Sequence, residues 1–255
     1  MIDFIFGTGN LHHLINTKQR KKLLKEAIES GFNSFDTAPA YGNGINELEL
    51  GICTKKFRNK FEINTKFGIP VPIYNSFASY VFPLFRTYDY LLRKSFNAYH
   101  NRDFSISCFE VSLKDSLKRL QTDYIDIFFL HEPINNLSSG LLTQLTDLAE
   151  KYKAEGIIKK WGIAGPFNSL KYCESLEYFD VIQTDVNGYD SIANYKDKEI
   201  ILFGIYRSYS QTANNLDISF IQYIKELKNK YKCRFILNTT DIKKLEQFRE
   251  LFSNG

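Results

Sequence analysis

The chain has 255 residues, a formal net charge of +4, 44% hydrophobic and 24% charged residues, which is ordinary globular composition. A chain this long buries about three quarters of its unfolded surface, so it needs neither disulfide nor metal to hold a core. The modest charge, carried by short lysine clusters interleaved with acids, reads as solvated helix faces and argues against a nucleic-acid binder; no apolar run of about 18 residues is present to span a membrane.

Cys53, Cys108, Cys173 and Cys233 are scattered, with no CxxC and no histidine at metal spacing. That argues against a zinc site and a disulfide framework, and a reducing, cytoplasmic compartment is expected. The N-terminal MIDFIFGTGN has neither a basic region nor a long apolar one, so no signal peptide is expected.

In chain order, FIFG reads as the first strand. A helix follows over 17–30, with Thr17 as its cap, Leu23, Leu24, Ala27 and Ile28 on one face, and Gly31 closing it. FNSFDTA is the second strand, INELELGIC a short helix, and FEINTKFG the third strand. From 69 to about 102 the chain makes a long aromatic excursion, either a lid or an apolar loop packed on the barrel or on a second subunit. A helix spans 103–120. YIDIFFLH is the fourth strand, its continuous apolar core suiting a parallel strand buried on both faces. A helix over 141–155 ends at Gly156. IIKKWGIAG is strand five, 168–176 a short helix, and FDVIQTDVN strand six. The next helix is barely visible between Tyr189 and Lys198. EIILFGIYRS is strand seven, 217–231 a helix, CRFILNT strand eight, and 241–251 the last helix.

Eight strand–helix units in about 250 residues predict an α/β fold, a single-domain (β/α)₈ TIM barrel over 1–255. A doubly wound open sheet is the runner-up, but no G-x-G-x-x-G follows the first strand.

Asp36 and Tyr41 follow strand two, Lys66 ends strand three and His131 ends strand four. In a parallel barrel these ends share one rim. Carbonyl reduction needs a proton on oxygen, and Tyr41 can give it. A free phenol titrates near 10, and an ammonium at Lys66 is expected to lower that value. Asp36 would hold Lys66, and His131 would donate a hydrogen bond to the oxygen as charge develops. Singly, each has a plain structural reading: packing, turn cap, surface lysine, strand-end donor.

FDTAPAYGNGINELELG resembles the D-T-A-x-x-Y-G segment of aldo-keto reductases. INTKFG is similar to the strand carrying that family's lysine, and SLKRLQTDYIDIFFLHEP to its S-L-x-x-L-x-x-D-Y-x-D-L-x-x-x-H segment. The three motifs occur in the family's order. The resemblance implies an NAD(P)H-dependent reductase of a small carbonyl substrate, with Asp36, Tyr41, Lys66 and His131 as the catalytic set. It also implies cofactor contacts from Thr8, Gly9, Gln183, Asn187, Arg207, Ser208 and Thr240, no metal, and NADP(H) in preference to NAD(H). Ala164 and Gly165 replace the family's usual Ser-Asn, Asn238 to Asp241 replace its phosphate turn, and the C-terminus is expected to be shortened. Two alternatives follow: a regulatory or binding barrel with impaired cofactor binding, and a sugar-modifying enzyme using an internal redox step.

Overall fold

The computed structural model describes residues 3–70, 102–212 and 218–252. The aromatic excursion after the third strand falls largely outside them. Eight strands lie parallel and in chain order: β1 (Phe4–Gly7), β2 (Ser34–Asp36), β3 (Glu62–Phe67), β4 (Ile125–His131), β5 (Ile158–Ala164), β6 (Val181–Asp185), β7 (Glu199–Phe203) and β8 (Arg234–Leu237). β8 pairs back onto β1 through Phe4 and Phe235, so the sheet closes into the expected (β/α)₈ barrel and the open sheet is ruled out.

Alternation along the strands makes two apolar layers. Ile5, Ile127, Phe129, Val181, Ile201 and Ile236 pack together in one cluster. Their neighbours Phe6, Phe35, Phe128 and Trp161 belong to the larger cluster that includes helix residues such as Leu24 and Phe109. The first cluster therefore fills the barrel and the second joins strands to helices. Gly162 leaves room for the Phe129 ring, which would lie 2.5 Å from a Cβ there.

Helix α1 (Thr17–Glu29) is capped one residue earlier than expected. The Asn16 side chain accepts from the Lys18 amide at 2.7 Å, while the Thr17 hydroxyl donates to Glu49. Asn is the better cap, and Thr17 is engaged elsewhere. Helices α2 (Ile45–Thr54), α3 (Ile106–Leu120) and α4 (Ser139–Ala154) follow, the last two capped by Ser105 and Ser138. Single turns α5 (Phe167–Leu170) and α6 (Tyr189–Ile192) come next.

The seventh strand is shorter than the sequence suggested. β7 stops at Phe203, Gly204 takes φ +77°, and IYRS opens helix α7 (Ile205–Thr212) instead of extending the strand. Helices α8 (Phe220–Lys230) and α9 (Ile242–Phe248) complete the ring, the latter capped by Asp241, which accepts from the Lys243 amide.

Candidate active site

Polar residues at or near the ends of β2, β3 and β4 meet over the barrel. Asp36 closes β2, His131 closes β4, Lys66 stands one residue from the end of β3, and Tyr41 sits in the turn before α2. All four line a single cavity of about 560 Å³ at the C-terminal mouth.

Lys66 is buried inside the barrel. Its Nζ donates to Asp36 Oδ1 at 2.6 Å and to the Thr37 carbonyl at 3.0 Å. It also lies 5.3 Å from the centre of the Tyr41 ring and 5.6 Å from that of Phe129. Burial pushes the Asp36 carboxyl up and pulls the Lys66 ammonium down, and their mutual attraction opposes both shifts. The Tyr41 and His131 rings meet edge to face at 6.0 Å.

Two protonation states follow. Burial, then the positive charges of Lys66 and Arg102, hold His131 well below the ordinary imidazole value, so it is neutral at pH 7. Burial, then the negative charges of Asp36 and Glu132, hold the Tyr41 phenol well above its ordinary value. The expectation that Lys66 lowers it is therefore corrected: the lysine's charge is matched by Asp36, and desolvation outweighs the remainder. Tyr41 is a phenol at neutral pH, a proton donor in its resting form.

The residues expected to face a cofactor divide. Gly9, Gln183, Asn187, Arg207 and Ser208 line the same cavity. Gln183 hydrogen-bonds Asp36, and its Oε1 is buried without a partner among the described residues. Ser208 is hydrogen-bonded to the Tyr223 hydroxyl at 2.7 Å, and Arg207 is exposed. Thr8 does not line the cavity; it is buried and pins the β1 loop to β2, both its amide and its hydroxyl donating to the Asp36 carbonyl. Thr240 is exposed and also outside the lining, where Asn238 stands instead. Ala164 and Gly165 both line the wall.

Sequence reasoning passed over Glu132 and Arg102. Glu132 follows His131 directly with φ +48°, and Arg102 holds its carbonyl at 3.0 Å and its Oε2 at 3.2 Å. The available signal was an acid placed immediately after a strand-end histidine. Among the described residues no group of His, Cys, Asp and Glu is arranged to hold a metal, and no helix is long and apolar enough to cross a membrane.

Fold and site together define a (β/α)₈ barrel with a Tyr–Lys–Asp–His mouth. The model of the Aldo/keto reductase family matches residues 3–203, and the chain belongs to that family. It is 31% identical over 161 residues to a D-threo-aldose 1-dehydrogenase from a Pseudomonas species, covering 62% of this chain and 47% of that protein. It is 26% identical over 174 residues to D-arabinose 1-dehydrogenase of Saccharomyces cerevisiae, covering 68% and 44%. The chain thus spans less than half the length of these two curated relatives. Among solved structures, the holo form of aldo-keto reductase AKR11C1 from Bacillus halodurans superposes with a TM-score of 0.72 at 18% identity, over 99% of this chain and 87% of that one. An aldo/keto reductase from Klebsiella pneumoniae in complex with NADP and acetate gives 0.63 at 18%, over 98% and 86%. At these identities the likeness speaks to the fold.

Proposed function

We propose that the chain reduces an aldehyde or ketone, with Tyr41 as the general acid and NADPH in preference to NADH as the reductant. The observation that carries this reading is the buried, protonated Tyr41 beside neutral His131 and the Asp36–Lys66 pair. A reduced nicotinamide supplies the hydride to the carbonyl carbon. Tyr41 gives its proton to the carbonyl oxygen. Lys66 faces the phenolate so formed, and Asp36 keeps Lys66 in place. His131, being neutral, donates a hydrogen bond to the oxygen without competing for the proton.

The cavity wall suits the cofactor. The orphaned Gln183 Oε1 is an acceptor for an amide donor such as the nicotinamide carboxamide. Gly9, Asn187, Arg207 and Ser208 would line the remainder. NADP is favoured because Arg207 offers an exposed guanidinium on that rim, and because the Klebsiella pneumoniae relatives are complexes with NADP and NADPH. The four cysteines are free thiols, which supports a reducing, cytoplasmic setting.

Mixing the protein with NADPH or NADH and a panel of aldehydes, aldoses included because relatives are named for them, tests the reading by absorbance at 340 nm. Tyr41→Phe is expected to lower kcat by about 10²–10⁴. A Tyr41→Phe variant as fast as the parent refutes the acid. A second reading, a binding barrel without turnover, draws on Ala164 and Gly165, whose side chains offer no polar group to the cavity. Quenching of Trp161 fluorescence on nicotinamide addition, with no aldehyde ever consumed, would favour it.

A further inference from the structure

The wall of the cavity beside His131 carries a carboxylate for which the proposed chemistry has no use. Glu132 lines the cavity, its side chain is 39% exposed, and its Oε1 lies 4.0 Å from His131 Nε2. It therefore stands next to the imidazole edge that would meet a carbonyl oxygen.

Its position is built, and at a cost. A residue with a Cβ avoids the left-handed region, yet Glu132 adopts φ +48°. Three neighbours hold it there. Its amide donates to the Ala164 carbonyl at 2.7 Å. Arg102 binds its carbonyl and its Oε2 from behind and is not part of the cavity lining. Gly165 leaves space for it: a Cβ at 165 would lie 3.2 Å from Glu132 Cα and 3.3 Å from its Cγ. The Ala-Gly pair at the end of β5 and the acid at the end of β4 are thus one packing unit. The negative end of the Glu132–Arg102 pair faces the cavity.

Arg102 takes only Oε2 of Glu132, and among the described residues no other charged group of the lining pairs with its Oε1. Asp36 is paired with Lys66 at 2.6 Å. Asp185 gives one oxygen to the Phe167 amide at 2.8 Å. Arg207 stands on the far arc, on the helix after β7, away from the β4–β5 edge.

We propose that Glu132 is a charge filter: it admits neutral hydroxy-carbonyl compounds, whose hydroxyl donates to its carboxylate, and rejects carbonyl compounds bearing a carboxylate beside the reacting carbon. The inference rests on the reduction reading above. Two unit charges a few ångströms apart at a partly wetted site repel by enough to change a rate about tenfold.

Glycolaldehyde and glyoxylate test it, being two-carbon aldehydes that differ in the hydroxymethyl or carboxylate beside the carbonyl. The parent is expected to prefer glycolaldehyde in kcat/KM, and added salt to narrow the preference. Glu132→Gln is expected to reduce the glycolaldehyde-to-glyoxylate ratio about tenfold, whereas Glu132→Asp, which keeps the charge, preserves most of it. Thermal melts of each variant establish that it is folded. An unchanged ratio in Glu132→Gln, or a Glu132→Asp ratio as low as that of Glu132→Gln, overturns the assignment while leaving reduction itself standing. A parent silent toward every aldehyde overturns the reduction reading, and this inference with it.

Discussion

At the mouth of the barrel, burial decides which protons stay. His131 and Tyr41 are driven away from charge by the same removal from water that makes the Asp36–Lys66 pair stand close. For His131 the effect extends to stability. Its folded pKa lies below the unfolded value of about 6.5, so between the two the unfolded chain binds a proton that the folded chain refuses. Stability contributed here is present above pH 6.5 or so and is lost as pH falls through that window. Urea midpoints measured from pH 8 downward should decline below about 6.5, and His131→Gln should flatten that limb. The four mouth residues were legible in the sequence because each lies at, next to or just beyond the end of a strand. The sign of the Tyr41 shift was not, because proximity to a lysine is visible in a motif and the depth of burial is not. Glu132 was hidden for a related reason: its meaning depends on Gly165 and Arg102, which stand on other elements.

Helices α2 and α3 show how the elements seat that mouth. Gly51 on α2 meets the last turn of α3 so closely that a Cβ would lie 2.5 Å from the Leu120 carbonyl carbon and oxygen. Both atoms are backbone and have nowhere to go. Gly51→Ala should therefore cost about 1–3 kcal/mol, read as a melting temperature lower by roughly 2–4 °C per kcal/mol. Glu47, buried on the same helix, accepts from Thr65 on β3 and from Arg119 on α3, both at 2.6 Å, locking α2 to the strand that carries Lys66. Strand and helix identities were mostly legible, because apolar runs and capping residues are local signals. The failure at Ile205 to Ser208 has a physical cause. Ile and Tyr favour strands, and the stretch continues an apolar run, yet Gly204 at φ +77° turns the backbone out of the sheet. That glycine was the punctuation that the run of apolar residues concealed. The consequence is functional: Arg207 and Ser208 reach the cavity from a helix, not from a strand end.

Across the whole molecule, the two ends of the barrel have opposite characters. The C-terminal end holds the cavity. The N-terminal end is tied shut by Arg234, the first residue of β8, which binds Glu62 of β3 at 2.6 Å, Ser34 of β2 at 3.0 Å and Glu199 of β7. Burial favours the neutral arginine, but the Glu62 and Glu199 charges outweigh it and keep the guanidinium protonated. Arg234→Met leaves two partly buried carboxylates without that partner, and about 3–5 kcal/mol of stability should go with it, measured as a lower urea midpoint. This ring was not legible beforehand, since Ser34, Glu62, Glu199 and Arg234 share no motif and meet only when the sheet closes.

The pairing of β8 with β1 also fixes an order of events. Phe4 meets Phe235, and Arg234 reaches back to Ser34 across 200 positions of sequence. Contacts so distant along the chain repay their loop-closure entropy late, which slows barrel formation. A nascent chain that has emerged only as far as β7 has two open sheet edges and no partner for either, so it carries the adhesive edges that a finished barrel abolishes. The strand that seals the molecule is synthesised after the other seven, and until it docks the first strand lacks its second neighbour.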